Sequence, residues 1–188
     1  TETTNRRIGA IEVSADANYI AASWTRTCSC ENTVVDVFDK QGKHIFWHTM
    51  NTGESEHISV SLSDNGSHLV ATDRYYTWLF KQITDTNGDK TYDQVWRSPY
   101  SELHHSDTDI SSDGQYIVSL NSEGGGYPQG IYYYGVDSST PLWSHAETPL
   151  RNWYEVSMSD SGRVMVSGTE YGYNIFVHST NIAPDEFF

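Results

Sequence analysis

Short, largely apolar runs recur along this chain, separated by clusters of Ser, Asp, Asn and Gly. Tyr19-Ile20-Ala21-Ala22, Leu69-Val70-Ala71, Tyr116-Ile117-Val118-Ser119 and Val164-Met165-Val166-Ser167 are such runs. They are strand-length, rich in β-branched and aromatic residues, and bounded by turn formers, which predicts β-strands. No segment keeps apolar residues at a helical spacing, so an all-β fold is expected.

The pattern recurs. Each run follows a turn cluster: Ser14-Ala15-Asp16-Ala17-Asn18, Ser63-Asp64-Asn65-Gly66-Ser67, Ser111-Ser112-Asp113-Gly114-Gln115 and Ser159-Asp160-Ser161-Gly162-Arg163. The matching residues Ile20, Leu69, Ile117 and Met165 lie 49, 48 and 48 positions apart. A period of this size marks a propeller or a solenoid. Each repeat reads as four strands. A short strand enters the turn, the Tyr-Ile-Ala-Ala type leaves it, and an aromatic strand follows (Val34–Phe38, Thr77–Phe80, Ile131–Tyr134, Asn174–Val177). A strand with tryptophan closes the first three repeats, at Trp47, Trp96 and Trp143.

The expected architecture is one β-propeller domain over residues 1–188, with blades at about 9–50, 57–98, 107–145 and 153–180. Propellers carry four to eight blades. The fourth repeat shows no outer strand, and residues 1–8 are expected to supply it and close the ring. Closure within one chain gives a four-bladed ring, and closure between two chains gives an eight-bladed dimer. Four blades of a longer protein are the third possibility.

The third repeat, with Ile110-Ser111-Ser112-Asp113-Gly114-Gln115-Tyr116-Ile117-Val118-Ser119 and the later Ile131–His145 run, resembles the WD40-like and PQQ-like repeats of secreted archaeal and bacterial proteins. The resemblance extends over almost the whole chain, and the first repeat departs from it with Ala17-Asn18 in place of Asp-Gly. It implies a β-propeller fold and an extracellular or cell-surface setting. The function expected is non-catalytic: a protein- or glycan-binding or assembly module. The alternatives are a subunit of a surface layer or filament, and a PQQ-like oxidoreductase or glycan-active hydrolase.

Charge narrows the partners. The 188 residues carry 25 Asp and Glu against 11 Lys and Arg, a net charge of −14. Such a surface repels nucleic-acid backbones and anionic lipid, so neither is an expected partner. No apolar run is long enough for a membrane-spanning helix. A protein or glycan partner, or self-assembly into a dimer or polymer, remains. Cys28 and Cys30 are the only cysteines, and they are too close in sequence for an unstrained disulfide.

Three groups of residues carry candidate chemistry. Loops between second and third strands, and between blades, emerge on one face. They collect Trp24, His57, Arg74, Tyr75, Tyr76, Tyr100, His104, Arg151, Trp153 and Tyr171. Aromatic and Arg side chains are the ones binding hot spots use, so this face is the expected binding surface. Asp85, Asn87, Asp89, Thr91 and Asp93 place oxygens at alternate positions, the spacing of a calcium loop. Lys90 stands where that loop wants glycine, and a plain hairpin with Asn87-Gly88 at its tip is the competing reading. Finally, Glu12, Ser59, Asp109 and Glu155 are expected at one register of the innermost strands, where they would line a polar axial channel.

Overall fold

The Ser/Asp/Gly cluster folds each blade's first two strands back on one another. In the computed structural model the turn serine hydroxyl accepts the N–H five residues on: Ser14 from Tyr19, Ser63 from His68 and Ser111 from Tyr116 at 3.0 Å, and Ser159 from Val164 at 3.1 Å. The side chain at the third position caps the turn from inside, Asp16 accepting from Asn18 and Asp113 from Gln115. The fourth position is left-handed, with φ of 66° at Gly66, 72° at Gly114 and 70° at Gly162. In the first repeat Ala17 occupies it at φ 55°. The turn keeps its shape there despite the missing glycine.

The structure describes residues 6–26, 33–50, 58–99, 104–122, 130–146, 153–169 and 175–180. Among these, blade one consists of β1 (Arg6–Val13), β2 (Tyr19–Arg26), β3 (Thr33–Asp39) and β4 (His44–Met50). Blade two holds β5 (Val60–Leu62), β6 (His68–Thr72), β7 (Thr77–Thr84) and β8 (Lys90–Arg97). Blade three holds β9 (His104–Ile110), β10 (Tyr116–Ser122), β11 (Gly130–Gly135) and β12 (Trp143–Ala146). Blade four holds β13 (Trp153–Met158), β14 (Val164–Thr169) and β15 (Ile175–Ser179). Every sheet is antiparallel, with its strands in chain order. No helix among the described residues is long and apolar enough to cross a membrane.

Two boundaries differ from expectation. Arg6, Arg7 and Ile8 pair with Arg26, Thr25 and Trp24 as the start of β1, so they belong to blade one rather than to the outer edge of blade four. β9 likewise begins at His104. A bulge in each of these first strands, at Ile8/Ala10 and at the β9 pairing of Leu120/Asn121, lets the strand run on past the regular register.

The core lies between blades, not within them. Ala21, Val35, Val37 and Met50 of blade one pack on Val60, Leu62, Leu69 and Phe80 of blade two. Val70, Leu79 and Trp96 pack on Ile110, Ile117 and Tyr134 of blade three. Val118, Leu120, Ile131 and Tyr133 pack on Trp153, Val156 and Met165 of blade four. Period-two alternation sends successive side chains to opposite sheet faces, so each interior blade feeds two such joints.

Backbone bonds between turns reinforce the joints. Asp16 N–H donates to the Asp64 carbonyl, Asp64 N–H to Ser112 and Ser112 N–H to Asp160, at 2.9–3.1 Å. The turn glycine of each following blade leaves room for a ring from the preceding one. A Cβ on Gly66 would lie 2.3 Å from the Tyr19 ring, and one on Gly162 2.7 Å from that of Tyr116.

The left-handed turn residue gives a direct test. A non-glycine residue there carries a steric cost of about 1–2 kcal/mol, partly offset by the lower backbone entropy that glycine surrenders on folding. Ala17→Gly is therefore expected to stabilise the protein by about 1 kcal/mol. The shift in melting temperature measures it, and a lower melting temperature contradicts this account of the turn.

Candidate functional site

The face opposite the Ser/Asp/Gly turns carries a platform built on blade two. Asp73 directly follows β6 and is buried. Its Oδ1 accepts the N–H groups of Tyr75 and Tyr76 at 2.8 and 2.9 Å, which curls the chain into the β6–β7 turn. Its Oδ2 accepts Nε1–H of Trp78 at 2.7 Å. One carboxylate thus fixes both the turn and the first aromatic ring of β7. Tyr76 meets Trp78 edge-on at 5.7 Å.

Arg97, at the end of β8, covers this pair. Its guanidinium carbon lies 4.1 Å from the Tyr76 ring centroid and 4.9 Å from that of Trp78. Alternation along β8 explains the placement. Trp96 turns toward blade three and contacts Tyr134, so Arg97 turns the other way. On the blade-one side His48 packs against Trp78 at 5.1 Å, and burial pushes its imidazole pKa down. His48, Thr49, Trp78, Gln94 and Arg97 line a cleft of about 520 Å³.

The electrostatics follow from this geometry. Burial raises the Asp73 pKa to about 6, and the three N–H donors and the Arg97 charge pull it back only in part. Arg97 makes no ion pair within the described residues, so its N–H edge is open to a ligand. A stacked guanidinium with a free fork is pre-organised for a carboxylate or for backbone carbonyls.

The residues expected on this face are distributed unevenly. Arg74, Tyr75 and Tyr76 form the half-buried rim of the platform, with the Arg74 guanidinium 5.3 Å from the Tyr75 ring. Trp24 lies at the end of β2, where its Nε1–H donates to Asp36, whose other oxygen contacts His44 at 2.8 Å. Trp153 does not belong to this face: it is fully buried and packs on Phe176 at 5.0 Å, so it is a core residue. The bulge between Trp153 and Glu155 leaves it on the inward side. His104 is the first residue of β9, pairing with Ser122. His57, Tyr100, Arg151 and Tyr171, like Cys28 and Cys30, fall outside the described residues.

Asp73, Trp78, Arg97 and His48 were not expected in the site. A carboxylate directly before Arg-Tyr-Tyr is a usable signal for a capped turn. Nothing local marks Arg97, because its partners lie across a sheet.

The 85–93 segment is a tight hairpin. Asp85 N–H donates to the Asp89 carbonyl, and Asp85 Oδ1 accepts the N–H groups of Asn87 and Asp89 at 2.8 and 2.9 Å. Asp89 pairs with Lys43 of the neighbouring hairpin at 2.8 Å. Thr91 and Asp93 belong to β8, opposite Ile83 and Lys81. Blade one builds the same turn, where Asp39 Oδ1 accepts the N–H groups of Gln41 and Lys43. Among the described residues no three His, Cys, Asp or Glu side chains are grouped to hold a metal ion.

The axial residues fall into two layers, not one. Counting back from the turn serines places Glu12, Ser61, Asp109 and Ser157 together, and Ala10, Ser59, Asp107 and Glu155 together. Asp107 accepts Ser59 Oγ–H at 2.6 Å and Val156 N–H at 2.8 Å. Asp109 accepts Ser61 Oγ–H at 2.9 Å and Met158 N–H at 2.7 Å. These carboxylates tie blade three to both neighbours. Burial raises the pKa of Asp107, and burial with the nearby Asp109 charge raises that of Glu12.

No protein-family model matches the sequence, and no curated protein matches it. Solved structures share its shape, among them Sqt1 from Chaetomium thermophilum, with a TM-score of 0.73, and the same protein bound to the N-terminus of the ribosomal protein L10, with a TM-score of 0.70. The fold is WD40-like. Each is 14% identical to this chain and matches 95% of it. The match covers 45% and 46% of those chains, so this chain spans about half their length.

Two tests separate surface from core. Trp153→Ala empties a packed site and is expected to cost about 3–5 kcal/mol, read as a fall in the denaturation midpoint. Asp73 gives a pH signature. Its folded pKa exceeds the unfolded value, so the folded chain holds that proton more tightly. Its contribution to stability therefore declines as pH rises from about 4 to about 6 and is flat above. Relative to Asp73→Asn, wild-type stability is expected to fall across that window by on the order of 3 kcal/mol. Parallel pH profiles for the two proteins contradict the assignment.

Proposed function

We propose that this chain is a non-catalytic, protein-binding β-propeller module whose partner lies on the Tyr76–Trp78–Arg97 platform. The observation that carries the reading is the stacked Arg97, held over two aromatic rings beside an open cleft. Aromatic and Arg anchors on a rigid support are the usual centre of a protein-binding hot spot. Asp73 locks the rings before a partner arrives, which reduces the ordering cost of binding.

The partner segment this surface suits is a polypeptide strand or tail. It places a carboxylate or carbonyl on the Arg97 fork and an apolar side chain in the cleft by Trp78. The solved Sqt1 complex, with a ribosomal protein N-terminus bound, supports a peptide-binding role for this type of fold. The buried Asp73 and the half-buried Asp107 and Asp109 are all engaged in structural hydrogen bonds, which favours recognition over hydrolysis.

Selection from a displayed random-peptide library, followed by titration of the selected peptide, tests the reading. Arg97→Ala and Tyr76→Ala are each expected to weaken that peptide about 30-fold, the effect of losing a hot-spot residue. An unchanged affinity in both variants places binding elsewhere. A library that yields no binder overturns the peptide-binding role.

A further inference from the structure

We infer that two copies of this chain dock head to tail, blade four of each onto blade one of the other, to close one eight-bladed ring. Two sheet faces, one at either end of the blade series, carry the inference.

Position by position, the exposed faces match faces that are buried elsewhere in the same molecule. Val166 and Val177 of blade four stand where blade one has Ala21 and Val37 and blade two has Val70 and Leu79. Those four residues are fully buried against the next blade, whereas Val166 is 40% and Val177 68% exposed. At the other end, Ile11 and Val13 of blade one correspond to Val60 and Leu62, which are buried against blade one. Ile11 is 59% and Val13 49% exposed. The series of described blades thus presents a donor face at blade four and a receiver face at blade one. Each interior joint shows what such a face packs against: the opposite face of another blade.

The polar stitching is interrupted at the same two places. The ladder of turn bonds runs from Asp16 to Asp64, Ser112 and Asp160, and among the described residues Asp160 has no following turn to reach. Ala15 sits at the equivalent position in the first turn, and among the described residues no turn donates to its carbonyl. Glu155 stands at the Asp107 position, where a carboxylate accepts an N–H from the next blade.

A second copy supplies both missing partners at once. A donor face meeting a receiver face is a heterologous contact, and a twofold rotation closes two such contacts into a ring. The size fits as well. One copy spans 45% of a solved chain of the same fold, so two copies come close to the length of that chain. The cleft of about 640 Å³ between β1 and blade four, lined by Ile8, Val166 and Ile175, is then space into which the partner's blade inserts.

Light scattering on the 188-residue protein is the first measurement. The expected mass is twice the 21.3 kDa of the chain, and a monomer or an open-ended polymer overturns the inference. Ile11→Glu and Val177→Glu change exposed side chains, so each variant is expected to keep the wild-type circular dichroism, and each alone is expected to be monomeric. Mixed in equal amounts, the two retain one intact joint and are expected to form dimers. If Val177→Glu stays dimeric while Ile11→Glu does not, the pairing is blade one on blade one, and the head-to-tail inference fails. It also fails if the mixture remains monomeric. Should either variant lose its folded spectrum, Val13→Glu or Val166→Glu replaces it on the same face.

Discussion

Everything in this molecule depends on one constraint: no blade buries its own core. A sheet of three or four strands has two faces, and here both are apolar in every blade. Val35 and Phe38 point to opposite sides of β3, and Leu79 and Phe80 to opposite sides of β7. Burying a side chain of this kind contributes about 1.5–3 kcal/mol, and that gain is realised only when a neighbouring blade arrives. Stability therefore accumulates joint by joint, as in repeat proteins whose units contact only their neighbours. Directional bonds then select the register. The turn ladder holds one end of each joint, and Asp107 and Asp109 hold the axial edge.

This division of labour decides where recognition is feasible. At the turn end, serine hydroxyls, capping carboxylates and the left-handed residue are committed to shape, and the turns are bonded to one another. The opposite end has different demands. The 73–76 turn is held by a single buried carboxylate beneath it, which leaves aromatic edges and Arg97 facing outward. Loops mounted on a rigid scaffold are the usual bearers of function, and blade two, covered on both faces, is about as rigid a mount as this chain offers.

The fold was legible because its signals are local. A serine five residues ahead of a strand, a capping Asp and a glycine for the left-handed position are read from a few adjacent residues, and their recurrence gives the blade count. The site was less legible because its signals are not local. Trp153 looks like a rim residue by its place at a strand end, but a bulge turns it inward. Asp85 caps its hairpin with the bonds that Asp39 makes in blade one, and because alternating oxygens describe both such a turn and a calcium loop, the spacing alone does not separate the two. Glu12, Ser59, Asp109 and Glu155 read as one layer in the sequence because repeats of 49 and 48 residues blur a register on which every side chain's direction depends. Arg97 carries no local mark, since what it does depends on Tyr76 and Trp78 across the sheet.

Asp73 shows how recognition and stability are joined. At neutral pH an ionised carboxylate beneath blade two is unfavourable for folding, as its raised pKa states. An apolar residue there would spare that cost but leave the Tyr75 and Tyr76 N–H groups and the Trp78 indole without an acceptor, and the turn would lose its shape. The charge has a second effect, because Arg97 lies close enough to feel it. The guanidinium lies over the rings near a buried anion without forming a direct ion pair, so its donors stay available. A surface Asp would pair with Arg97 outright and occupy the fork. Burial keeps the counter-charge near and the fork open, and only an interior blade, with a joint on either side, supplies enough packing to bear it.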